Sequence, residues 1–115
     1  MKADRNPAAS QRAYPAPEEV GTMADLREVI DAVDADLLRL LGIRLAYTDR
    51  APVLKTREGI AARAPGRIRE VLNNVRVLAE RHGFDPDLAE KMWHLMIEAV
   101  IAREESVMGT EGRDA

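Results

Sequence analysis

The chain contains no cysteine, so disulfides and Cys-ligated zinc are excluded. Aromatic residues are nearly absent: one Trp, two Tyr and one Phe among 115 residues. That scarcity disfavours a β-sandwich core or a platform for stacking bases. No apolar run approaches the ~20 residues needed to span a bilayer, and the first residues lack the apolar core of a secretory signal. An excess of basic charge is missing too, with 17 Lys and Arg against 20 Asp and Glu, net −3. That balance argues against general nucleic-acid binding. A soluble, cytoplasmic protein with no membrane or nucleic-acid partner is expected.

What remains is a helix-forming mixture rich in Leu, Ala, Arg and Glu, 46% hydrophobic overall. The length suits a single domain. Residues 1–22 carry three prolines and no periodicity and read as a flexible arm. Residues 23–108 read as one helical domain, and 109–115 as a frayed tail. The fold class is all-α, with three helices. The first starts near Thr22 to Asp25, either of which is a suitable cap. Its apolar positions are Leu26, Ile30, Val33, Leu37, Leu40 and Tyr47, resuming at Ala51 and Leu54. This predicts a helix of about 30 residues, ~45 Å long, kinked at Pro52. Gly59 and "AARAP" form a loop. A second helix starts at Pro65, with Ile68, Leu72, Val75 and Ala79 inward, and ends at Gly83. The third is capped by Asp85, begins at Pro86 and stops at Gly109.

A compact domain of ~85 residues has a radius of gyration of about 12 Å and is roughly 30 Å across. A ~45 Å helix overhangs such a body and leaves its apolar stripe in water. A second copy of the chain covers it. An intertwined homodimer is expected.

Several charges sit on apolar faces. Arg44 continues the line through Ile30 and Leu37, where its stem can pack while its head reaches water. Lys55 lies eleven residues later, three helical turns on and within about 20° of the same direction. Two extended cations so placed can grip one small anion. Arg27 is too far along the helix to join them within one chain, but in an antiparallel dimer it reaches the partner's site. As an alternative it is an ordinary exposed charge. On the third helix Glu104 ends the line of Trp93, Ile97 and Val100. A carboxyl there is either paired, protonated or exposed at the helix end. Arg63, Arg67 and Arg69 flank Pro65, where a helix N-terminus can receive an anion. Arg103 and Glu105 read as solvated. His82 and His94 lack the spacing of a metal site, and Trp93 reads as core.

Three stretches together, "LREVIDAVDADLLRLLGIRLAYTDRAPVLK", "PGRIREVL" and "GFDPDLAEKMWHLMIEAVIAREE", resemble the all-helical class of chorismate mutases across residues 26–105. The resemblance implies an intertwined dimer of three-helix chains with two shared sites, and no cofactor or metal. It implies a small dianionic substrate, chorismate, rearranged to prephenate by a concerted pericyclic shift. Carried over by position, Arg27 serves the partner's site and holds a carboxylate, and Arg44 holds a carboxylate in its own. Lys55 contacts the ether oxygen and a carboxylate, Arg67 is the loop-end arginine, and a protonated Glu104 bonds the ether oxygen. Ile68 and Val100 fall at substrate-contacting positions. Ile68 departs from the family's usual Glu, which meets the C4 hydroxyl. Isochorismate pyruvate-lyases of the same fold have an apolar residue there, and a 4-amino-4-deoxychorismate mutase is a further alternative. A non-catalytic helical dimer that binds a partner or an anion is the rival from another class.

Overall fold

The computed structural model describes residues 14–115. Four α-helices follow one another: α1 Met23–Thr48, α2 Ala51–Glu58, α3 Pro65–Arg81 and α4 Pro86–Met108, after a short 3-10 turn at Pro17–Glu19. Among the described residues the only extended pairing is an isolated parallel bridge between Ile60 and Arg113. Among the described residues no helix is long and apolar enough to cross a membrane. The chain divides within α1 into one compact unit ending at Gly42 and a second spanning Ile43–Ala115.

In the first unit Thr22 caps α1, its hydroxyl accepting from the Asp25 N–H at 3.1 Å. Residues 14–22 of the expected arm are shaped rather than featureless. The Ala16 N–H donates to Glu19 across the 3-10 turn at 3.2 Å, and the Tyr14 hydroxyl donates to the Asp36 carboxylate. Residues 1–13 of that arm lie outside the described residues. No residue of α1 is buried. Ile30, Leu37 and Leu40 of the predicted stripe are each about half exposed, at 49%, 53% and 53%.

The second unit corrects the expected long first helix. Instead of a kink at Pro52 there is a break, with α1 ending at Thr48 and α2 starting at Ala51. Proline lacks the N–H that would bond the Thr48 carbonyl, and its ring crowds that carbonyl. The chain resolves this by a turn in which Arg50 N–H bonds Tyr47 O at 3.1 Å. Pro52 then falls in the first turn of α2, where a missing N–H is harmless. Gly59 ends α2 in a left-handed conformation at φ 73, a region that disfavours side chains. Pro65 opens α3. Asp85 caps α4, accepting from Asp87 N–H at 2.9 Å.

Helices α3 and α2 both pack on α4. The buried apolar residues are mostly alanines (61, 62, 64, 79 and 89), joined by Ile97 and Ile101. Such small side chains let the α2–α3 loop and α3 approach α4 closely. Ala89, Ile97, Ile101 and Glu104 are the buried residues of α4, and their spacing gives one face of the helix. Glu104 is therefore delivered into the interior by the same periodicity that builds the core.

Residues 109–115, expected to fray, are tied down. Arg113 N–H bonds Gly59 O at 2.9 Å and Arg113 O accepts from Ala61 N–H at 2.8 Å. Asp114 accepts from the Gly66 N–H. Unpaired amides at the start of α3 favour an acceptor, and this segment supplies one.

Candidate active site

Lys55 stands in the second turn of α2, and its ammonium meets two acceptors. It donates to the Ala62 carbonyl at 2.8 Å and to Glu104 Oε1 at 2.8 Å. Glu104 is 5% exposed, so the helix-end reading of its carboxyl does not hold. Burial of a carboxylate requires such a partner. The lysine donates at most three hydrogen bonds, and these two leave one for a ligand.

The pair forms part of the wall of a cavity of about 430 Å³. Arg44, Arg67, Ile68 and Val100 line the same cavity, so the structure gathers every expected site residue except Arg27. Arg44 is half-buried, and among the described residues it has no carboxylate partner. It and Lys55 face one space although the helix between them is broken. Arg67 lies in the first turn of α3 at the rim, where it pairs with Glu70 at 2.5 Å. Ile68, Val71, Ile97, Val100 and Ile101 give the cavity apolar surface. Arg27 is exposed on α1 and does not line the cavity.

Two bidentate ion pairs brace the surroundings. Arg103 meets Asp49, in the turn between α1 and α2, at 2.6 and 2.9 Å. Arg63 meets Glu98 at 2.9 and 2.7 Å. Hydrogen bonds from the guanidinium hold the Asp49 carboxyl below its ordinary range, and those from Arg63 do the same for Glu98. Both pairs are open to water, so each adds little stability and mainly fixes geometry. Arg103, expected to be merely solvated, thus anchors the turn that separates Arg44 from Lys55. Arg63 is engaged, and the start of α3 receives the chain's own Asp114 rather than an outside anion.

Sequence reading missed the Ala62 carbonyl, a backbone atom with no residue signature. It also missed the Asp49–Arg103 and Arg63–Glu98 pairs, which span 54 and 35 positions and leave no local pattern. His82 ends α3 and His94 is exposed on α4. Among the described residues no three His, Asp or Glu side chains cluster as a metal site would require.

Chemically the cavity suits a small dianion. Arg44, Lys55 and Arg67 bring three cations to its lining, where Glu104 meets Lys55, Glu70 meets Arg67 from outside the lining, and Arg44 faces the space without a carboxylate partner. The arrangement can fix carboxylates and present N–H donors to an oxygen that gains negative charge.

The chain is 34% identical over 88 residues to an isochorismate pyruvate lyase of Pseudomonas aeruginosa, covering 76% of this chain and 86% of that protein. It is 26% identical over 76 residues to a chorismate mutase of Methanocaldococcus jannaschii, covering 66% and 77%. The model of the family "Chorismate mutase type II" matches residues 26–105, the stretch that holds the cavity's cations, Glu104 and Arg27. The chain belongs to the chorismate mutase type II family.

Proposed function

We propose that the protein is a chorismate mutase, converting chorismate to prephenate in the cytoplasm without a cofactor. The convergence of three cations on a cavity with one carboxylate carries this reading. The reaction is intramolecular, so the protein's tasks are to hold the compact conformer and to stabilise charge growing on the ether oxygen. Arg44 holds one carboxylate of the substrate. The remaining proton of Lys55 is directed to the ether oxygen and the neighbouring carboxylate. Glu104 assists only while protonated, since an ionised carboxylate accepts but does not donate. Arg67 adds a cation at the rim, and Ile68 and Val100 give apolar contact with the ring.

The site is completed by a second chain. Half-exposed Ile30, Leu37 and Leu40 along α1 form a face that an intertwined homodimer covers. Arg27, on the same helix, then supplies a carboxylate-binding guanidinium to the partner's site.

Ile68 favours one second reading, an isochorismate pyruvate-lyase. It sits in the cavity wall where the family commonly has an acid for the C4 hydroxyl. Incubating pure protein with chorismate, isochorismate or 4-amino-4-deoxychorismate, and identifying products by chromatography, tests both. Prephenate from chorismate supports the mutase. Pyruvate from isochorismate alone supports the lyase, and turnover of the amine alone assigns the third substrate. No turnover with any of them leaves a binding protein and sinks the enzymatic reading.

A further inference from the structure

We propose that residues 110–115 act on the site as a clasp, with Gly112, Arg113 and Asp114 as positioning residues that fix Lys55 and Arg67 through the α2–α3 loop. Three independent contacts carry this. Arg113 brackets the loop, its N–H on Gly59 O at 2.9 Å and its O on Ala61 N–H at 2.8 Å. Its guanidinium also reaches Glu58 O at 3.3 Å. Gly112 runs so close to the loop that a Cβ on it would lie 2.4 Å from Ala61 N, and its φ of 132 disfavours any side chain. Asp114 accepts from Gly66 N–H at 3.1 and 3.3 Å, a carboxylate set at the positive end of α3.

The atoms so held adjoin the chemistry. The residue after Ala61 is Ala62, whose carbonyl anchors the Lys55 ammonium. The residue after Gly66 is Arg67, at the cavity rim. Lys55 has one flexible stem and two anchors. If the loop relaxes, Glu104 alone directs the ammonium, and its free proton is no longer aimed. Small displacements of this kind reduce rates on the order of tenfold to a hundredfold. The clasp is a property of the chain itself, whereas its effect on turnover rests on the proposed function.

Four variants test it: deletion of residues 110–115, Gly112→Ala, Asp114→Ala and Asp114→Asn. The readouts are amide exchange at Ala61 and Gly66, acylation of Lys55 relative to Lys91 by an amine-reactive acetylating reagent, and kcat and KM. The deletion and Gly112→Ala should speed Ala61 exchange about tenfold or more, raise Lys55 acylation, lower kcat and raise KM. The helical circular dichroism signal should persist. Asp114→Ala, at an exposed position, should speed Gly66 exchange and raise KM. Asp114→Asn keeps an acceptor oxygen and should recover most of that loss. Unchanged exchange at both amides in the deletion would overturn the clasp. Faster exchange with unchanged Lys55 acylation would overturn the positioning of Lys55, and unchanged kcat and KM in an active enzyme would overturn its effect on catalysis. If the intact protein turns over no substrate, the proposed function fails. Exchange and acylation then still decide whether the clasp holds the loop and lysine.

Discussion

Replacing Lys55 by alanine removes the cation assigned to the ether oxygen, and it also disturbs the fold. The structure allows the two effects to be weighed. Glu104 has a side chain only 6% exposed, while that of Lys55 is 23% exposed. Breaking a fully buried ion pair costs about 3–5 kcal/mol, because one charge is left stranded. Here the lysine opens on the cavity, so water can enter beside the carboxylate and about 2–3 kcal/mol is expected. Loss of the donor to the developing oxyanion should cost about 3–4 kcal/mol in the barrier, or a few hundredfold in kcat. The two penalties are similar in size, so the single variant alone does not separate them. Adding Glu104→Gln does. The double variant buries no unpaired charge, and its unfolding free energy from urea titration should return to within about 1 kcal/mol of the parent. Its turnover, followed by loss of chorismate absorbance at saturation, should remain depressed at least as far. A folded Lys55→Ala enzyme with near-parental kcat would refute the role of Lys55. Recovery of turnover together with stability in the double variant would show that the lysine matters only for folding.

Mixing Arg27→Ala with Lys55→Ala chains under subunit exchange should restore sites of parental composition, and no recovery despite proven heterodimers would reject shared sites. Asp49 has a lowered folded pKa through its hydrogen bonds to Arg103. Its contribution should therefore be fully present above about pH 4 and vanish as pH falls through the lowered value. Thermal midpoints of the parent and Asp49→Asn should differ by a steady, small amount near neutrality and converge in acid. A gap that widens in acid would contradict the pairing. Ile68→Glu should raise kcat/KM for chorismate relative to isochorismate by about tenfold or more, and an unchanged ratio would remove this position from substrate choice.

Much of this molecule was legible in the sequence because its signals are local. Thr22, Pro65, Asp85, Gly59 and Gly109 mark helix ends by what their own backbones can or cannot do. The positions of Arg44, Lys55 and Glu104 stood out because each breaks an apolar line at helical spacing. Pro52 was visible, but whether a proline bends or splits a helix depends on the residues before it. Here the turn is held by Arg103, 54 positions from Asp49. The anchoring of residues 110–115 was illegible for the same reason: it is made by backbone atoms and one aspartate, in a stretch of ordinary loop composition.

The surplus of positive charge in the cavity has a consequence for what leaves it. A rearrangement conserves every atom, so prephenate would leave with both carboxylates and face the same Arg44 and Lys55 that are proposed to hold its precursor. Accumulating product should then compete with substrate at one site, and added salt should weaken both alike, because each is a dianion facing the same cations. An elimination divides the charge instead, sending out pyruvate and an aromatic monoanion, each matched to only part of the cationic set. Product inhibition under such a scheme is weak for either fragment and strongest when both are present. The pattern of inhibition reports how many pieces the substrate became.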